Sequence, residues 1–232
     1  MSELKIGYLV NYYTGDDPKW REDDFRACAV VKGMKQESFN FSASFNIEGT
    51  KTQVSEENVY RLVRESLRRL ARATAKLDLP EQFAVVPIPN SSMCLESEER
   101  HRIQALASEF GLSLPEGTEV LSLLKWIKPK EKSHRSKQHR NSEKLESNLA
   151  LAEKTDLPIL LFDDVRTSGA SMMAATRFLR KEGLEVFGGV TMARASKIQH
   201  EKSYGWVLET LDCRPESVQA LDGFFAIEPK EF

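Results

Sequence analysis

The residues best suited to chemistry are two adjacent carboxylates at the end of an apolar run, followed at once by small hydroxyl residues and a glycine. They stand in Ile159-Leu160-Leu161-Phe162-Asp163-Asp164-Val165-Arg166-Thr167-Ser168-Gly169-Ala170-Ser171. Four apolar residues predict a buried strand, and Asp163 and Asp164 emerge at its tip. Thr167, Ser168, Gly169, Ala170 and Ser171 then lead into a helix expected over 170–181. Small side chains let backbone N–H groups converge, and a helix N-terminus adds partial positive charge, which together make a cradle for phosphate. At ~3.3 Å per extended residue the acids lie ~10 Å from that cradle, which suits the hydroxyls of a sugar carrying the phosphate. A second candidate loop, Pro89-Asn90-Ser91-Ser92, closes the apolar run 82–89. A third segment, 125–140, holds seven Lys or Arg, two His and one acid, Glu131. Such a run serves either as a solvated loop or as a contact for a polyanion.

These segments need a scaffold, and the surrounding pattern supplies one. Apolar runs predict strands over 82–89, 118–124, 158–162 and 185–192. Amphipathic spacing predicts helices over 55–77, 96–110, 142–154 and 170–181, with Gly111 and Gly183 just beyond two of their ends. Strands alternating with helices imply βαβ units, hence a Rossmann-like α/β fold with a mainly parallel sheet and helices on both faces. In such sheets ligands bind beyond the carboxyl ends of the strands, where both candidate loops lie. The first fifty or so residues read differently. Phe39, Phe41, Ala43 and Phe45 alternate with polar residues, as in a half-buried edge strand, and the tail after Gly205 reads as irregular.

Composition narrows the field. The 33 Lys and Arg set against 35 Asp and Glu leave a net charge of −2, which argues against a general nucleic-acid coat. No stretch approaches the ~20 apolar residues of a membrane span. The opening residues lack the cleavage site of a signal peptide. Cys28, Cys94 and Cys213 form no CxxC pair, so neither a disulfide framework nor a structural zinc site is expected. The expected setting is the cytoplasm.

The block ILLFDDVRTSGAS resembles the phosphoribosyl pyrophosphate (PRPP) signature of type I phosphoribosyltransferases: an apolar run, two acids, then Thr-Thr/Ser-Gly-x-Thr/Ser. The resemblance covers residues 82–195. It implies that Asp163 and Asp164 hold the ribose hydroxyls, and indirectly a Mg²⁺ ion, through PRPP or water. It implies too that Thr167, Ser168, Gly169, Ala170 and Ser171 wrap the 5′-phosphate. Pro89, Asn90, Ser91 and Ser92 would form the pyrophosphate loop, in a proline-rich form that resembles the ComF-like branch. The Arg-x-x-Asn element of that branch stands here as Leu145-Glu146-Ser147-Asn148, without the arginine. Lys130, Lys132, His134 and Arg135 resemble the mobile catalytic loop of orotate phosphoribosyltransferases.

The function so implied is Mg²⁺-assisted displacement of pyrophosphate at ribose C1 by a nitrogenous acceptor whose identity the sequence does not carry. A homodimer is expected. Residues 1–54 would form an N-terminal subdomain or hood-like segment, 55–200 the core, and 201–232 a C-terminal extension packing on it. Three alternatives stay open: a PRPP-sensing regulator without turnover, a ComF-like accessory protein in DNA uptake, and a defence or toxin–antitoxin effector whose basic run engages nucleic acid.

Overall fold

Residues 83–87 and 159–162 are buried at every position, so these two runs belong in the middle of a sheet covered on both faces. The computed structural model describes residues 2–15, 19–38, 40–47, 49–95, 101–129 and 141–215. In chain order the elements are β1 (Glu3–Tyr13), α1 (Glu22–Lys35), β2 (Ala43–Ile47), β3 (Thr50–Val54) and α2 (Val59–Thr74). Next come β4 (Phe83–Pro87), α3 (Arg102–Gly111), β5 (Thr118–Val120), β6 (Leu124–Trp126), α4 (Ser142–Glu146) and β7 (Leu149–Leu151). The last are β8 (Ile159–Arg166), α5 (Ala170–Lys181), β9 (Val186–Ser196) and β10 (Tyr204–Asp212).

Six strands form the main sheet in the order β10-β1-β9-β8-β4-β5, with β10 alone antiparallel to its neighbour. The fold is therefore α/β with a mainly parallel sheet, as expected. Phe83, Val85, Leu160 and Phe162 pack with residues of α1, α2 and α3 on one face. Ala84, Val86, Ile159 and Leu161 pack on the other with α5 and the β6–β7 pair. From β4 the chain crosses through α3 outward to β5, whereas from β8 it crosses through α5 the opposite way to β9. The connections leaving adjacent strands β4 and β8 thus diverge, and the crevice at the carboxyl ends of such a strand pair is where open sheets of this kind take ligands. Among the described residues no helix is long and apolar enough to cross a membrane.

The terminal segments differ from expectation. Residues 1–54 do not stand wholly beside the sheet: β1 lies within it, between β9 and β10, with Leu4, Ile6, Tyr8 and Val10 buried. The rest of that segment, α1 and the β2–β3 pair, packs on the α2 face, where Ala43 and Phe45 are core residues and Phe41 lies against them. Phe39 falls outside the described residues. Of the tail after Gly205, the residues up to Asp212 lie in β10, because the long-range partner β1 supplies the hydrogen bonds no local pattern could announce. Gly7 allows this pairing, since a Cβ there would come within 1.9 Å of the Trp206 ring.

Two interior expectations also change. The helix expected over 142–154 stops at Glu146, and Leu149–Leu151 pairs instead with Leu124–Trp126, burying Leu124, Trp126 and Leu149. The strand expected over 118–124 accordingly splits into β5 and β6. Of the helix expected over 96–110, residues 102–111 form α3, and 96–100 lie outside the described residues.

Candidate functional site

The site begins where β4 ends. Pro87 pairs with Phe162, and the Ile88 N–H donates to the Phe162 carbonyl at 2.8 Å as the chain turns away. β8 continues along β9, from Asp163 opposite Thr191 to Arg166 opposite Arg194, so residues 163–166 have lost their β4 neighbour. Their own side chains take up two of the amides. Asp163 Oδ1 accepts the Asp164 N–H at 2.9 Å, and Asp164 Oδ1 accepts the Val165 N–H at 2.7 Å.

Beyond that the two acids part company. Asp164 Oδ2 accepts from the Arg102 guanidinium at 2.6 Å, and Arg102 also donates to the Met34 carbonyl at 2.7 Å, near the end of α1. Asp163 instead lines a small recess of about 20 Å³ with Arg166, Thr167, Gly169, Ala170 and Ser171. Arg102 further forms part of the wall of a cavity of about 540 Å³ between α1, α2 and α3, lined also by Met34, Val59, Tyr60 and Leu106. Expected to act together, the two acids have different surroundings in the fold.

Gly169 is the N-cap of α5 at φ +85°, ψ 0°, in the left-handed region that side chains avoid. A Cβ there would meet Leu211 Cδ1 at 3.3 Å and Arg166 Cδ at 3.6 Å. This turn sets residues 167–171 around the first turn of a 12-residue helix, with Thr167 and Ser168 exposed and Ser171 half-buried. Converging amides, hydroxyls and the positive end of the helix dipole suit an anion with several oxygens.

Sequence reasoning gave Arg166 no role. The residue is 5% exposed, forms an ion pair with Glu209 of β10, and lies over the Tyr8 ring at 5.7 Å. Glu209 also accepts from Arg194 and from the Tyr8 hydroxyl, whose pKa burial pushes up so that it keeps its proton. Nothing near Arg166 in sequence signals this, because Glu209 lies on a strand whose pairing is long-range.

The loop after β4 is shaped by a second residue the sequence did not mark. Trp126 is fully buried, and its Nε1–H is shared between the carbonyls of Pro89 at 3.0 Å and Asn90 at 2.8 Å. Asn90 Oδ1 accepts from the Ser92 N–H at 3.3 Å and the Ser92 hydroxyl at 3.1 Å, closing an Asx turn. Asn90 and Ser91 are half-buried and Ser92 is exposed. Since β4 and β8 are adjacent and parallel, this loop and the Gly169 turn share one edge of the sheet.

Lys130, Lys132, His134 and Arg135 lie outside the described residues. The flanks of their segment are held firmly. Asn148 accepts the Lys128 N–H at 3.0 Å and donates to the Lys128 carbonyl at 2.9 Å, while Asn141 caps α4 through the N–H groups of Glu143 and Lys144. Through Trp126 the same unit touches the β4 loop.

Among the described residues no group of three or more His, Cys, Asp or Glu could hold a metal ion. With Asp164 engaged by Arg102, the donor set suits a hard cation that shares oxygens with a bound ligand, not a protein-only cage.

No family model and no curated protein matches the chain. Among solved structures it is similar to an adenine phosphoribosyltransferase at 11% identity, over 71% of this chain and 89% of that one, with a TM-score of 0.39. It is similar also to the orotate phosphoribosyltransferase from Aeropyrum pernix, at 15% identity over 72% and 83% of the two chains, with a TM-score of 0.36. A third similar structure is the adenine phosphoribosyltransferase from Rhodothermus marinus, at 16% identity over 72% and 87%, with a TM-score of 0.37.

Proposed function

We propose that this chain binds PRPP with Mg²⁺ at the β8–α5 turn and transfers its phosphoribosyl group to a nitrogenous acceptor. One observation carries the reading: a strand-tip carboxylate and a left-handed glycine turn share a recess at the point where adjacent strands diverge. In this account the amides and hydroxyls of residues 167–171 hold the 5′-phosphate, and Asp163 accepts from a ribose hydroxyl. Asp164, held by Arg102, fixes the position of the strand tip beside them. The β4 loop of Pro89, Asn90, Ser91 and Ser92 faces the pyrophosphate.

A bond forms between the acceptor nitrogen and ribose C1 as the C1–O bond to pyrophosphate breaks, the electron pair leaving with the oxygen. Such a step asks for a rigid cradle and positive charge on the leaving group more than for a protein nucleophile. When bound, Mg²⁺ supplies part of that charge. Lys130, Lys132, His134 and Arg135 are assigned the remainder, closing over the pyrophosphate from the segment whose flanks Asn148 and Asn141 anchor.

The test is pyrophosphate release from PRPP and Mg²⁺ across a panel of purine and pyrimidine bases. Release with one base is the expected result, and no PRPP binding under any condition would overturn the reading. PRPP binding without release would favour a second reading, a PRPP-sensing regulator. The Arg102 link from Asp164 to the cavity between α1, α2 and α3 supports that alternative, since it offers a path from the ligand to a separate surface.

A further inference from the structure

We propose that Arg166 is itself a ligand of the 5′-phosphate, its buried Nε–H reaching a phosphate oxygen from beneath the Gly169 turn. The inference rests on the reading above, that the turn holds a phosphate monoester.

Three observations carry it. First, Arg166 Nε is buried and has no hydrogen-bond partner among the described residues, and the residue as a whole is only 5% exposed. Buried donors are nearly always satisfied, and those that are not commonly await a ligand or water. Second, the side chain runs under the turn. Its Cδ lies 3.6 Å from where a Cβ on Gly169 would sit, Nε is the next atom along, and Arg166 lines the recess with Asp163, Thr167 and Ser171. Third, among the described residues Glu209 is shared by two guanidinium groups, Arg166 and Arg194, and Tyr8 stays neutral, so these side chains together bring one positive charge to the recess that Asp163 also lines, beside the N-terminus of α5.

A guanidinium holds its N–H groups in a fixed fork, so the bond to Glu209 through one nitrogen fixes the direction of Nε–H. Glu209 thereby aims the donor that the phosphate would accept. A guanidinium donor next to a helix N-terminus favours a phosphate monoester over a neutral sugar. A purely structural Arg166, tying β8 to β10 through Glu209, would need no such alignment.

Calorimetric titration with ribose 5-phosphate separates the two roles. Arg166→Lys keeps a cation opposite Glu209 but lacks the Nε–H donor, and its Kd should rise about tenfold or more. Arg194→Met removes a positive charge from the same group without touching the recess, and its Kd should stay within about threefold of wild type. Arg166→Lys binding within about twofold of wild type, or Arg194→Met losing as much as Arg166→Lys, would overturn the assignment. A second readout needs no folded variant: in the wild type the Arg166 Nε–H proton resonance should shift on saturation with inorganic phosphate, and an unmoved resonance would also overturn it. If wild type fails to bind ribose 5-phosphate at all, the reading of the turn as a phosphate site falls first and takes this one with it.

Discussion

Gly169, Asp163 and Asp164 are the residues on which the site turns, and they separate cleanly in experiment. Gly169→Val forces a branched side chain to φ +85° against Leu211 and Arg166. We expect about 1–3 kcal/mol of destabilisation, together with loss of ribose 5-phosphate binding in a titration. Unchanged affinity would remove the turn from the account. Asp163→Asn should weaken PRPP binding in a titration, because that carboxylate lines the recess. Asp164→Asn should cost about 1–2 kcal/mol, because it breaks a charged hydrogen bond to the half-buried Arg102, and chemical denaturation would measure it. Matching effects from the two substitutions would contradict their different surroundings. These three residues were legible in the sequence because their signal is local: an apolar run, two acids and a glycine in thirteen consecutive positions. Arg166 and Trp126 were not, since Glu209 and the Pro89 carbonyl, which give them meaning, lie far along the chain.

The same division between local and long-range signals governs the elements. β4, β8, α2 and α5 were readable because each carries its own pattern, a continuous apolar run or a one-sided stripe. α1 carries none: Ala27, Cys28, Ala29, Val30, Val31 and Met34 are all buried between the sheet and α2, so no polar face marks its period. What anchors α1 is Asp24. It is buried and accepts from Arg21, from Ser203 at 2.6 Å and from Gln199 at 2.5 Å, so it ties the helix to the segment before β10. Burial alone would raise its pKa, but the hydrogen bonds from Arg21, Ser203 and Gln199 outweigh burial and hold it down at about 2. A carboxylate depressed in this way stabilises the fold above its unfolded pKa near 4 and loses that contribution as pH falls toward 2. Asp24→Asn should therefore cost about 2 kcal/mol at neutral pH. The gap from wild type should close between about pH 4 and pH 2 in denaturation curves. A gap independent of pH would mean that packing, not charge, holds α1 in place.

At the scale of the whole molecule, the first and last described strands meet in the sheet and reach the site together. β1 and β10 are neighbours, and β10 brings Glu209 and Leu211 against the turn that β8 and α5 form. The Gly169 turn is thus supported by strands separated by most of the sequence, and unfolding β10 alone should disturb it. The central claim is that this edge of the sheet, where β4 and β8 diverge, takes PRPP. Calorimetric titration of the intact chain with PRPP in the presence of Mg²⁺ tests that most directly. Saturable binding at one site per chain with a Kd below about 1 mM, lost in Gly169→Val, is the expected result. No heat of binding at millimolar PRPP, or binding that Gly169→Val retains in full, would contradict it.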